Sequence, residues 1–572
     1  MIHYHVSYNN PLSYFLQIEM RIPALQQPLL HLQLPAWRPG RYELQNFAQK
    51  IRKFEIVDAD SQPVHYEKIT KDRWLVHTEN LPEITVRYDF YAHQMDAGGS
   101  WLDETQLYIN PVNCFMSAEG FENLPCELVL NIPENWQIAC GMKAKNQNTL
   151  LARNFDELVD CPLFASATLQ HEVYTVQGIP FHIWIQGNCK PDWPAILADF
   201  RDFTEEQLRL FHDFPVQDYH FMFQILPYKH YHGVEHSNST VCVLGPADAL
   251  MQRNTYKELL GVSCHELFHT WNIKNIRPAE MMPYDYTQEN YFKTGFVAEG
   301  ITTYYGDYLL GRSGVFSANQ YFDELNGVLK KHYDDYGRHN YSVTDSSFDT
   351  WLDGYKPGIP DRKVSIYHKG ALAALILDLE LRRVSENQYS LDDIMRRLYN
   401  EFGKTGIGYS EQDYINLVLE TGGPSFREYF EEIIYGTVPL ENSLDTALRF
   451  VGCELREENN PISYERKFGF RAVMKKEWPN VSAIMPDAPA AFVFTTDDDI
   501  IAVNGRRVEN NLNELFKEGE SFEVAVFRNY QLRTVKLETN GRNYLSNYIV
   551  AKRPDATEAE KDNFQRWLNQ KF

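Results

Sequence analysis

His265-Glu266-Leu267-Phe268-His269 is the stretch on which the reading of this chain turns. On a helix, residues four apart lie on one face about 6 Å from each other, so both imidazoles reach one metal ion. Glu266 points beside that face and can serve as general base toward a water held at the metal. Thr255 and Glu258 stand at capping-box spacing upstream, and Pro278 sets a limit downstream, which predicts a helix between them. A catalytic zinc needs a third protein ligand and an open position. No histidine lies between Ile273 and Pro278, so a glutamate from a separate helix is favoured. Glu299, within Phe296-Val297-Ala298-Glu299-Gly300-Ile301, is a lone charge on an apolar, helix-like run, where burial is costly unless the charge is paired or metal-bound. Glu280, Asp285 and Glu289 compete for that role from a loop rich in Pro, Met and Tyr. The bland alternatives are two surface histidines on a helix and an ion-pairing Glu299.

Outward from this motif, the pattern changes twice. Before residue 170, Leu16, Ile18, Met20 and Ile22 alternate with polar residues, as do Ile84 to Phe90 and, more weakly, Leu128 to Ile132. An antiparallel sandwich or saddle is expected for 1–170. From Thr204, with Gln207 at capping-box spacing, helical periods enter. His220 to Leu226 and Val241 to Leu244 read as strands, and everything from Lys363 to about 450 reads as helix, with another cap at Ser410 and Asp413. The 171–450 stretch is therefore mixed α/β, then helical. Short alternating strands return over 451–545, at Arg471–Met474, Asp499–Val503, Phe522–Phe527 and Thr534–Leu537. A tail over 546–572 ends in a short helix with Phe564, Trp567 and Leu568 on one stripe. The whole is a multidomain α+β chain.

Composition excludes more than it assigns. The 572 residues carry 55 basic and 78 acidic side chains, a net charge of −23, which argues against a nucleic-acid partner. No run approaches the ~20 apolar residues of a membrane span, and no secretory signal is visible at the start. Eight scattered cysteines without CxxC spacing suit reduced thiols and a cytoplasmic location.

The run from Ser263 through His265-Glu266-Leu267-Phe268-His269 to Pro278 resembles the zinc-helix signature of the glycyl aminopeptidase family. These are gluzincin metallopeptidases with a thermolysin-like catalytic domain and a C-terminal PDZ domain. Phe296 to Gly300 resembles the family's glutamate-ligand segment, though Thr303 stands where thermolysin-like enzymes carry an orienting Asp. Pro35-Ala36-Trp37-Arg38-Pro39-Gly40-Arg41-Tyr42 is similar to the family's N-terminal domain. Gly233-Val234-Glu235-His236 resembles its GGxEH edge-strand motif, with His232 replacing the first glycine. Tyr367-His368-Lys369-Gly370 is similar to the YxKG segment of related gluzincins. Lys467-Phe468-Gly469-Phe470 resembles a PDZ carboxylate-binding loop.

The resemblance implies a zinc aminopeptidase for N-terminal glycine, and alanine after it, acting on peptides with a free N-terminus. His265, His269 and Glu299 would hold Zn²⁺, Glu266 would be the general base, and Tyr367 would donate to the oxyanion. Glu235 would anchor the α-ammonium group, with Gly233 and His236 beside the substrate. The C-terminal module would take a C-terminal peptide or serve structure alone. Two alternatives stay open: a gluzincin of endopeptidase or broader aminopeptidase action, and a PDZ binding protein with a retired catalytic domain. His230, His232 and His236 raise a second metal site, against which a bend at Gly233 is expected.

Overall fold

The period-2 pattern of Leu16, Ile18, Met20 and Ile22 forms the strand Phe15–Pro23, whose four apolar side chains are fully buried. The computed structural model describes residues 1–23, 27–356 and 358–572. Phe15–Pro23 pairs antiparallel with Ile2–Ser7 on one side and Glu83–Tyr91 on the other, inside a seven-stranded sheet. Ile2–Ser7 also pairs with Cys126–Leu130, here in parallel. Sheets of five and four strands complete this β-rich region, and the three enclose one apolar core.

A five-stranded sheet follows, in the order Gln170–Val176, Ile179–Gln186, Tyr219–Ile225, Ser239–Gly245, His230–Glu235. Its central pairs are parallel and its outer pairs antiparallel, which leaves His230–Glu235 as an edge strand. Tyr219–Ile225 and Ser239–Gly245 are buried at every position, so they read in sequence as unbroken apolar runs. Helices dominate from Thr302 to Phe450 and share a core with this sheet.

Two of the three predicted caps fall inside helices. The helix Trp193–Phe211 starts well before Thr204 and is capped by Asp192, whose side chain accepts from the Ala195 amide. Thr204 is buried, with its hydroxyl 2.8 Å from that of Tyr174. The helix Arg253–Phe268 starts before Thr255, with Gln252 at its cap position and no side-chain cap. Ser410 and Asp413 do form the reciprocal cap of Glu411–Gly422.

The C-terminal region packs a further sheet, from Phe470–Lys475 to Gln531–Glu538, around its own core with two short helices. In Lys467 to Phe470, Phe468 and Phe470 are buried in that core, and Gly469 turns at φ 67° against the Ala488 side chain. The pairing of Cys453–Glu458 with Asn547–Lys552 returns the chain to the helical core. There the helix Glu558–Leu568 buries Phe564, Trp567 and Leu568, and Tyr308 donates to the Trp567 carbonyl at 2.5 Å.

Candidate active site

The helix Arg253–Phe268 carries His265 and Glu266, and His269 is its C-terminal cap residue. The two histidine Nε2 atoms lie 3.1 Å apart, with ring planes at 85°. The helix ends here, well short of Pro278, because the chain folds into tight turns. Lys274 donates its amide to the His269 carbonyl, and Ile273 takes φ 91°, rare for a β-branched residue. Asn272 pins these turns: its Nδ2 donates to the Val297 carbonyl at 2.8 Å and to Thr302 Oγ1 at 2.9 Å. Its own carbonyl lies 2.9 Å from His269 Nδ1, which orients that imidazole. A backbone carbonyl thus takes the orienting task for His269 that the Thr303 position left unassigned.

Glu299 sits in a π-helical turn, Phe296–Ile301, which runs into the helix Thr302–Ser313. Such turns widen a helix locally and recur at functional sites. Glu299 Oε2 lies 3.5 Å from His269 Nε2, and its Oε1 accepts from the Tyr42 hydroxyl at 2.8 Å. Gly300 lets this turn touch the helix His368–Val384: a Cβ there would meet the Gly370 Cα at 2.5 Å. That backbone contact fixes Glu299 relative to Tyr367, the residue that opens the second helix. The structure thus gathers His265, His269 and Glu299 as one group able to hold a metal ion.

Glu235 and Glu266 form a second group that shares His269. Both carboxylates are buried, and each leaves one oxygen without a hydrogen-bond partner, Oε1 of Glu235 and Oε2 of Glu266. Burial pushes the Glu266 carboxyl up to about 8; His269 opposes the shift, and the Glu235 and Glu299 charges add to it. Burial disfavours a proton on His269, but Glu299, Glu235 and Glu266 together raise its proton affinity. The expected bend at Gly233 is absent: His230–Glu235 pairs with Ser239–Gly245 without a register shift. Gly233 serves a different end, since a Cβ there would lie 2.2 Å from Glu266 Oε1. Tyr367 stands with its hydroxyl 3.3 Å from that of Tyr355.

His236 is placed apart from these groups. Its Nδ1 lies 3.2 Å from Asp160 Oδ1, which also accepts from Lys274 Nζ at 2.8 Å. Burial alone would raise the Asp160 carboxyl, yet Lys274 and His236 hold it well below the usual carboxylate range. His236 is thus tied into an ion-pair network between the N-terminal region and the chain after the motif helix. His230, His232 and His236 form no metal-ligating group among the described residues.

The segment Ala36 to Tyr42 was legible as a match to the N-terminal domain but not as part of the site. Trp37 and Tyr42 pack in a cluster with Ile273, Phe292 and Ala298, and Tyr42 reaches Glu299. Gly40, at φ 79°, brings its backbone against Glu235; a Cβ would stand 2.3 Å from Oε2. Arg38 is buried with Nε unpartnered, lodged against the bare Gly98, and the Asp96 and Glu235 charges partly offset its burial. The available signal was density: one Trp, two Arg, one Tyr, two Pro and one Gly within Pro35–Tyr42.

Residues 3–167 match the family model described as the peptidase M61 N-terminal domain, and residues 258–373 match that described as M61 glycyl aminopeptidase. The chain belongs to the M61 peptidase family. It is a metallopeptidase. The match over 258–373 takes in His265 to His269, Glu299 and Tyr367, and a solved structure extends the likeness to nearly the whole chain. That structure is an aminopeptidase N family protein from Idiomarina loihiensis, 27% identical, with 99% of this chain and 100% of that chain covered at a TM-score of 0.90. A variant of the M1 zinc metallopeptidase of Deinococcus radiodurans, bound to a Tyr-Ser-Ala substrate, is 13% identical over 77% of this chain and 94% of that one, at a TM-score of 0.49. No curated protein sequence matches. No helix among the described residues is long and apolar enough to cross a membrane.

Proposed function

We propose that this M61 peptidase is a zinc aminopeptidase that removes glycine, and secondarily alanine, from peptide N-termini. The observation that carries the reading is the buried Glu235, its Oε1 without a hydrogen-bond partner, beside a cluster of two histidines and a glutamate. A fixed carboxylate at that place recognises a free ammonium group, which internal peptide segments lack. The donor set suits Zn²⁺: two imidazole nitrogens and a carboxylate oxygen converge on one side, and His269 Nδ1 is engaged by a carbonyl, which leaves Nε2 to the metal. Zinc, when bound by His265, His269 and Glu299, supplies Lewis acidity toward a water and the scissile carbonyl.

This chain's own groups do the rest. Glu266 takes a proton from the attacking water at its unpartnered Oε2 and passes it to the leaving amine. Gly233 keeps the strand clear of that carboxylate. The Tyr367 hydroxyl donates to the carbonyl oxygen as negative charge grows there. Glu235 accepts from the substrate ammonium, and the Gly40 backbone closes the space behind it. The match of residues 258–373 to the model described as M61 glycyl aminopeptidase supports the preference for small residues at the N-terminus. Turnover of a panel of aminoacyl-anilides tests the reading. Glycyl and alanyl substrates are expected to lead, with activity lost to a chelator and restored by Zn²⁺. Chelator-resistant turnover contradicts the zinc role, and a lead by bulky residues contradicts the small-residue preference.

The C-terminal sheet supports a PDZ-like reading at one place. The strand Phe470–Lys475 has Trp478–Ile484 as its single strand neighbour among the described residues, and Val473 and Met474 on it are exposed. A C-terminal peptide would add there as a further strand. Anisotropy titration of a free-acid peptide against its amide checks this. Eight unpaired cysteines, seven of them buried, support a reducing compartment such as the cytoplasm.

A further inference from the structure

One wall of the cleft takes no part in the chemistry above. A peptide whose amine is held at Glu235 and which runs along the edge strand passes Gly233 and Glu266 before it reaches Tyr231, since strand residues advance ~3.3 Å each. The residues beyond the cut bond therefore face Gly233 to Tyr231. A cavity of about 570 Å³ opens there, continuous from His265, Glu266 and Tyr367 to Asp307, Glu258 and Glu324.

The charges at its far end do not cancel. Glu324 pairs with Lys257 at 2.5 Å, which engages that lysine. Asp307, on the helix Thr302–Ser313, has no hydrogen bond or ion pair among the described residues. Burial and the neighbouring Glu324 carboxylate push its carboxyl up to about 7, against the opposing pull of Lys331 and Lys257. Glu258, on the motif helix, also lacks an ion-pair partner among the described residues. Lys331 is the one cation lining this end that is not engaged by another side chain among the described residues, and it is exposed at the rim. Val262, Phe316 and Val328 give the same cavity apolar lining, beside the polar Thr303 and His368. A cavity that combines apolar lining with carboxylates lacking an ion-pair partner fits a side chain with a long aliphatic stem and a cationic head.

We propose that Asp307, with Glu258 beside it, forms a subsite that selects a lysine or arginine side chain on the leaving-group side of the cut bond. The direction of the peptide rests on the aminopeptidase reading; the acidic subsite itself rests on the cavity. The test compares kcat/KM for Gly-Lys-Gly, Gly-Leu-Gly and Gly-Glu-Gly with the zinc-loaded full chain. The order Lys over Leu over Glu is expected, with Lys ahead of Leu by at least about fivefold. The readout is the Lys-to-Leu ratio within each enzyme, so a general loss of activity or folding cancels. Asp307→Asn should bring that ratio near one, and Asp307→Lys should turn the order toward Gly-Glu-Gly. A wild-type ratio near one, or a ratio unchanged in Asp307→Asn, overturns the subsite while glycyl-anilide turnover keeps the aminopeptidase reading intact. Equal cleavage of N-acetylated peptides overturns that reading instead. The subsite then stands if lysine after the cut is still favoured and falls if it is not.

Discussion

The motif helix Arg253–Phe268 and the segment Pro35–Tyr42 bring side chains to the same cluster by opposite routes. His265, Glu266 and His269 are neighbours because of helical spacing, a local relation written in five consecutive residues. Tyr42 reaches Glu299 across 257 positions of sequence, and Gly40 meets Glu235 across 195. The first route supplies the groups proposed to bind the metal and to react. The second closes, orients and shields them. The candidate catalytic cluster is therefore not the property of one region, and an N-terminal region that reads as a separate β unit completes it.

Substitutions can break the comparison at either side. The largest effect is expected on the local side: Glu266→Gln should lower kcat by about 10³-fold or more while leaving metal content near one per chain. Metal analysis beside a turnover assay checks it, and activity within tenfold of wild type would remove Glu266 from the proton transfer. On the long-range side, Asp160→Asn leaves the buried Lys274 without its counter-charge. It should cost ~3 kcal/mol of stability in denaturant titrations. The sign with pH follows from the depressed Asp160 carboxyl: its contribution is full above the ordinary aspartate range and is lost as pH falls below that range. In the Asn variant that acid-dependent loss should shrink.

Tyr42→Phe removes one hydrogen bond to the proposed metal ligand Glu299 and should weaken metal binding by about tenfold, read by chelator competition. An unchanged affinity would demote the N-terminal segment to packing. The smallest effect is expected at Ser410→Ala, a cap with no link to the site, at ~1 kcal/mol of stability with unaltered kcat/KM.

The same contrast explains what the sequence shows and what it hides. Strands such as Phe15–Pro23 and Asp499–Val503 are visible because alternation or apolar runs record which face is buried. The reciprocal cap at Ser410 is visible because both partners are three residues apart. Thr204 and Thr255 carry the same spacing yet lie inside helices, since that pattern also arises where a helix has already begun. Glu299 stands out as a charge on an apolar run, but its place beside Tyr367 needs the close approach of Gly300 to Gly370, a contact no local pattern encodes. The end of the motif helix at His269 depends on Asn272 holding the backbone of Val297 and Ala298. His236 resembles a cleft residue in sequence, and only the fold reveals Asp160 as its partner.

The central claim is that Glu235 makes this metallopeptidase an aminopeptidase by binding a free ammonium group. Its most direct test is the ratio of kcat/KM for a glycyl peptide and for the same peptide acetylated at its N-terminus, measured with the zinc-loaded enzyme. The account predicts at least about 10²-fold preference for the free peptide, because acetylation removes the cation and leaves Glu235 buried and unpaired. Equal cleavage of the two peptides would contradict it.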